Sequence, residues 1–185
     1  MKQKLIILFV FLTIFTVRSQ EISFTLGTNF TQFNLKNPES YVGTPLQSGS
    51  GSFYEIAYLL PSREKNLFFD FGLGINEYNA IAGTSANSYK WNTKSIGLRT
   101  GLEYEFTAIK KIKLAPQVGM NFSTILYGKQ EINGAVYDIT NHSDFSGLKL
   151  IPYIGFKAKY KIKDYGYASL GYNYSVSFKP TLTNK

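Results

Sequence analysis

The one imidazole in the chain, His142, stands in Asn141-His142-Ser143-Asp144, a run that places a base, a hydroxyl and a carboxylate within four residues. Such a set suggests hydrolysis by a base-activated serine. Adjacent residues of an extended chain point to opposite sides, however, and the run lies in a long loop, so His142 and Ser143 are not expected to face each other. A polar loop is the expected outcome, with no catalytic residue. The chain contains no cysteine and a single histidine, which removes a thiol nucleophile, a disulfide framework, a Cys-based zinc site and a cluster of imidazole ligands. No metal and no cofactor are expected.

A more concrete constellation is ionic. Glu55, Asp70, Arg99, Glu103 and Lys157 all fall on the polar side of alternating segments, and opposite charges gathered in a narrow interior pair because an unpaired buried charge is costly. Asp70, Glu103 and Lys157 are expected toward one end, with Arg99 and Glu55 nearer the middle. They would form a network that stiffens the interior and closes it to solutes, with a conducting or gated path as the alternative. Tyr89, Trp91 and Tyr137 fall in or beside long loops and are the aromatic candidates for ligand contact. Lys90, Lys94, Lys129 and Lys149 lie near the same rim, as solvated lysines or as contacts to lipid phosphates.

Those side chains require elements that alternate with period two. Seven segments do so: Ile22 to Leu35, Ser52 to Leu60, Leu67 to Tyr78, Ser95 to Phe106, Leu114 to Leu126, Leu150 to Ile162 and Tyr167 to Phe178. These read as strands. Phe33 and Leu35 are out of phase, predicting a bulge, and Pro116 and Pro152 predict bulges or late strand starts because each removes a ladder donor. Gly27, Gly72, Gly74, Gly97, Gly101, Gly119, Gly155 and Gly171 all share the polar face. A soluble sandwich has no reason to keep its glycines with its charges. A barrel with its apolar face outward does, because small residues leave room in the lumen for a few long side chains. The connections alternate too, long at Lys36 to Gly51, Asn79 to Trp91 and Gly128 to Gly147, and short at Pro61 to Asn66, Thr107 to Lys111 and Lys163 to Asp164.

Met1 to Ser19 has two early lysines, an apolar run from Leu5 to Val17, and then Arg18-Ser19-Gln20, the layout of a cleaved secretory leader. Loss of Lys2, Lys4 and Arg18 takes Lys+Arg from 20 to 17 against 12 Asp+Glu, and the net charge from +8 to +5. Export and scattered lysines make nucleic acid an unsuitable partner. After the leader no apolar run is long enough for a membrane helix. Residues 20–185 then form a single domain.

The Ser19-Gln20 junction and the pieces Phe71-Gly72-Leu73-Gly74-Ile75, Ile96-Gly97-Leu98, Val118-Gly119-Met120, Ile154-Gly155-Phe156 and Leu170-Gly171-Tyr172 give the chain a likeness. It resembles the small outer-membrane β-barrel proteins of Gram-negative bacteria, the PorT-like barrels of Bacteroidota, with OmpX and OmpA barrels as architectural relatives. The resemblance implies an all-β, antiparallel, up-and-down transmembrane barrel of eight strands, seven of them visible in this chain. The count therefore predicts a chain truncated at its fourth outer loop. It also implies a non-enzymatic structural or surface-interaction role in the envelope, with outer-membrane lipid, lipopolysaccharide and an unidentified envelope protein as partners. A small passive channel or a secretion-associated barrel is the alternative, a lipid-modifying enzyme is more remote, and a secreted lipocalin-like carrier is the reading outside membranes.

Overall fold

Alternating apolar and polar residues build an antiparallel meander in the computed structural model, which describes residues 21–32, 47–83, 88–142, 145–163 and 166–178. The strands are β1 Glu21–Thr31, β2 Gln47–Pro61, β3 Leu67–Gly83, β4 Ser88–Tyr104, β5 Phe106–Ile109, β6 Ile112–Ile132, β7 Ala135–Asp138, β8 Lys149–Ile162 and β9 Gly166–Ser175. Seven pair in the order β1-β2-β3-β4-β6-β8-β9, while β5 and β7 are short strands that pair only with β6. There is no helix among the described residues. The leader, the expected bulge at Phe33 and Leu35, and the last residues from 179 lie outside them.

The sheet curls into a half-barrel. β1 and β8 are five strand steps apart, which is about 24 Å across a flat sheet at about 4.8 Å per step. Yet Lys159 Nζ of β8 lies 3.5 Å from Glu21 Oε1 of β1. β1 and β9 each pair on one side only, and they run in the same direction, so no antiparallel ladder closes the sheet among the described residues.

Polarity is reversed relative to a water-soluble fold. Asp70 and Glu103 on the concave face are at most 1% exposed, whereas Leu26 and Leu170 on the convex face of the edge strands are 80% and 82% exposed. Phe71 and Leu98, on inner strands, also point outward. The concave glycines leave room for larger neighbours. A Cβ on Gly101 or Gly119, partners in register, would strike the Tyr153 hydroxyl.

The two prolines do not displace the register. Pro152 accepts a bond from Val176 N, so its nitrogen also faces β9, where the ladder ends at Ser175. Pro116 stands where the β4–β6 ladder stops at Glu103 and Gln117, before it resumes on β5 at Phe106 and Leu114. Pro152 does withhold a donor between the Ser175 end of the β8–β9 ladder and the Leu150–Phe178 bridge beyond it, yet the register runs on unchanged at both prolines and no bulge forms. The bulge in β6 instead lies between Ile125 and Tyr127.

Two expected loops are largely strand. β3 and β4 stay paired up to Gly83 and Ser88, so Asn79 to Trp91 is a long hairpin whose tip, 84–87, lies outside the described residues. β6 runs to Ile132 and turns into β7 through Asn133 and Gly134, with φ of 49° and 85°. Positive φ at both positions is the geometry of a type I′ turn, for which Asn-Gly is suited.

Along these extensions the faces exchange character at one level. Ile75 and Ile96, paired in register, are the last outward apolar residues of β3 and β4 before Glu77 and Lys94, which also pair. On β6, outward Leu126 and Tyr127 give way to Lys129 and Glu131. Beyond that level the concave face turns apolar, and Ala80, Ala82, Trp91, Ile139 and Phe145 form a buried cluster.

Candidate functional site

The concave face between the short turns and that level carries the charges. Arg99, on β4, is the centre of one group. Its Nη1 donates to both Glu55 carboxylate oxygens at 3.3 and 3.4 Å, and its Nη2 to Gln117 Oε1 at 2.9 Å. Its Nε pairs with Asp70 Oδ2 at 3.2 Å as an ion pair without an aligned hydrogen bond. Gln117 Nε2 donates in turn to Asn173 Oδ1, carrying the chain of contacts to β9. The guanidinium lies 4.1 Å from the centre of the Tyr153 ring, which rests over the Gly101 and Gly119 pair. Arg99 thereby touches side chains from β2, β3, β6 and β8.

A second group lies toward the short turns. Glu103 accepts from Lys157 at 3.0 Å and meets Lys159 at 2.6 Å. Lys159 also donates to Glu105 at 2.5 Å and reaches Glu21, while Lys113 donates to Glu105 at 2.6 Å. Alternation explains the stacking. Residues 99, 101, 103 and 105 share one face of β4 and its continuation, and 153, 155, 157 and 159 share one face of β8.

All five residues of the expected network, Glu55, Asp70, Arg99, Glu103 and Lys157, face the interior and are paired. Asp70 differs in detail: it joins Arg99 in the middle group, not Glu103 and Lys157. The structure adds Glu21, Glu105, Lys113 and Lys159 to the expected ion pairs, and Gln117, Tyr153 and Asn173 to the contacts of the middle group. Glu105 and Lys159 were nevertheless legible, since both continue the polar face of their strands. Glu21 was not, because only the curl brings β1 to β8.

The aromatic candidates lie elsewhere than expected. Trp91 is 1% exposed, on β4 and not in a loop, because the outer hairpin turns its apolar residues inward. Tyr89 stacks on it with ring centroids 6.2 Å apart. Tyr137 is exposed on β7. Of the rim lysines, Lys94 pairs with Glu77 at 3.0 Å and Lys90 with Glu131 at 3.8 Å. Lys129 lies over Tyr127, and Lys149 over Phe145. His142 sits in the turn after Ile139, its ring 6.3 Å from that of Phe145, and Ser143 and Asp144 lie outside the described residues.

Comparison with protein-family models, with curated proteins and with solved structures finds no match for this chain. No group of three or more His, Cys, Asp or Glu side chains among the described residues is placed to hold a metal. Among the described residues no helix is long and apolar enough to cross a membrane, which says nothing of strands. The interior joins five acids, Glu21, Glu55, Asp70, Glu103 and Glu105, with four bases, Arg99, Lys113, Lys157 and Lys159. Such an arrangement cancels all but one of its charges and fixes neighbouring strands to one another.

Proposed function

We propose that this chain is an exported barrel-type protein of the bacterial outer membrane, without enzymatic activity, that serves a structural or surface-interaction role by holding β-hairpins above the lipid. One observation carries the reading: large apolar side chains cover the convex face while charged ones are buried on the concave face. In water this is the unfavourable choice, since each Leu or Phe forgoes about 1.5–3 kcal/mol of burial and apolar patches beyond a few hundred Å² are rare on soluble proteins. In lipid it is the favourable one. A secreted carrier barrel would need the opposite faces.

Dimensions support the same reading. Leu67 to Ile75 spans eight strand steps, about 27 Å of strand and, at a tilt of about 40°, a height of about 21 Å, close to the apolar band of about 25 Å in such barrels. The exchange of faces at Ile75 and Glu77, and at Ile96 and Lys94, marks where that band would end. Met1 to Ser19 supplies the export signal this location requires. The paired interior supports a plugged lumen over a passive channel. The PorT-like resemblance belongs to this proposal as architecture.

The test is membrane fractionation of the full chain expressed with its leader in a Gram-negative host. The reading expects recovery in the outer membrane, resistance to carbonate and urea extraction, and release by detergent. Recovery as a detergent-free soluble protein would refute it.

A further inference from the structure

The short turns gather basic side chains at the end of the sheet away from the outer hairpins. Arg63 and Lys65 stand in the turn between β2 and β3, Lys110 and Lys111 in the turn between β5 and β6, and Lys161 and Lys163 at the end of β8. Backbone bonds tie these turns into one rim: Glu105 N donates to Asn66 O at 2.8 Å, and Lys161 N to Lys111 O at 2.9 Å. All six basic residues are exposed. In the sequence only two acids, Glu64 and Asp164, stand among these six bases, an excess of four positive charges.

The two ends of the sheet differ in how their bases are answered. At the outer hairpins Lys94 pairs with Glu77, Lys90 with Glu131, and Lys129 stands opposite Asp138 in register. At the short turns none of the six bases makes an ion pair among the described residues. The interior acids nearest to them are already engaged, Glu105 by Lys113 and Lys159 and Glu21 by Lys159. Lys111 and Lys161 meet just beyond the Ile112–Tyr160 pair, and like charges facing each other across a ladder are destabilising. The rim therefore favours an anion from outside the chain. Its depth fits one source: Ile109 precedes Lys110, Ile162 lies between Lys161 and Lys163, and Leu60 stands three residues before Arg63, all three exposed and apolar. Bases that close to an apolar band reach headgroup phosphates while their stems lie along the band.

We propose that the short-turn rim binds anionic phospholipid headgroups, phosphate diesters with a net negative charge, in the leaflet that the short turns meet. The proposal rests on the membrane reading above and names the lipid class that this rim selects. A zwitterionic headgroup offers the same phosphate but brings its own cation, so the excess charge of the rim discriminates between the two.

The full chain is reconstituted into phosphatidylcholine vesicles, floated on a density gradient, and given spin-labelled phosphatidylglycerol or spin-labelled phosphatidylcholine as a minor component. The fraction of label immobilised at the protein, read by electron paramagnetic resonance, is expected to be at least about twofold higher for phosphatidylglycerol at low salt and to approach equality at about 1 M salt, where charges are screened within about 3 Å. Lys110→Gln, Lys111→Gln, Lys161→Gln and Lys163→Gln together remove the preference, whereas Lys90→Gln, Lys94→Gln and Lys129→Gln together leave it. Should the fourfold variant fail to float, Lys110→Gln with Lys163→Gln halves the excess charge and lowers the preference. No preference in the floated native chain, a preference that survives the short-turn substitutions, or one that vanishes with the outer substitutions would overturn the proposal and leave the membrane reading standing. Co-sedimentation with purified peptidoglycan, lost in the short-turn variant, in place of a lipid preference would assign the rim to that polymer and overturn the proposal as well. A native chain that does not float overturns both.

Discussion

Removing Arg99 while keeping its partners leaves the Glu55 and Asp70 carboxylates buried with no guanidinium between them. Arg99→Met preserves most of the apolar stem but deletes three hydrogen bonds, one ion pair and the contact with the Tyr153 ring. Charged hydrogen bonds contribute roughly 1.5–3 kcal/mol each and a cation–π contact roughly 0.5–2, but such terms do not add within one network. The better guide is the cost of breaking a buried ion pair from one side, about 3–5 kcal/mol. The triple variant Arg99→Met, Glu55→Gln, Asp70→Asn removes the stranded charges and is expected to recover most of that, ending within about 2 kcal/mol of the native chain. Urea unfolding of the vesicle-reconstituted protein, followed by gel mobility without boiling and by circular dichroism, measures both. A single variant that loses less than about 1 kcal/mol, or a triple variant less stable than the single one, would refute the claim that Arg99 neutralises a buried acidic pair.

Gly119→Val places branched carbons against Thr100 O and the Tyr153 hydroxyl; overpacking of this kind costs about 1–3 kcal/mol, and pairing with Tyr153→Ala should recover part of it in the same unfolding assay. Leu98→Arg puts a charge on the outward face near mid-band and is expected to cost about 2–4 kcal/mol of folding in lipid, whereas Asn92→Arg, above the band, should cost close to nothing; equal effects would contradict the lipid assignment. Hydrogen bonds from the Thr140 backbone N–H, the larger cause, and from its hydroxyl hold the Asp138 carboxyl below its ordinary range. A depressed folded value means that the turn is stabilised above the ordinary carboxylate value of about 3.9 and loses that support as pH falls through the depressed value. Trp91 quenching by acrylamide should therefore rise only in strong acid, and Asp138→Asn should abolish that step.

Period-two alternation made the seven spans legible, because in each the apolar residues hold one face over eight or more positions. It misled at the outer hairpins for a physical reason. After Ile75 and Ile96 the outward residues become Glu77 and Lys94, and an outward row that turns polar looks like the end of a strand although the ladder runs on to Gly83 and Ser88. The same change of pattern makes Trp91 look like a loop residue. Asn133-Gly134 carries a hairpin signal within the span expected as a loop. The interior network was partly legible because parity alone sets which side Glu55, Arg99, Glu103 and Lys157 face. Which of them meet depends on the curl and stagger of the sheet, and no local pattern encodes the 3.5 Å approach of Lys159 to Glu21. At Pro116 and Pro152 the missing donor leaves the register unchanged, which no local pattern encodes.

The proposed function requires that the convex face meet lipid and the concave face not. Spin labels placed singly at positions 90 to 102 of β4, in the vesicle-reconstituted chain, report collisions with oxygen, which concentrates in lipid, and with a water-soluble nickel chelate. The prediction is high oxygen access at 96, 98 and 102, low access to both reagents at 97, 99 and 101, and nickel access at 90, 92 and 94. Nickel access at 98 equal to that at 92 would place the apolar face in water and contradict the account.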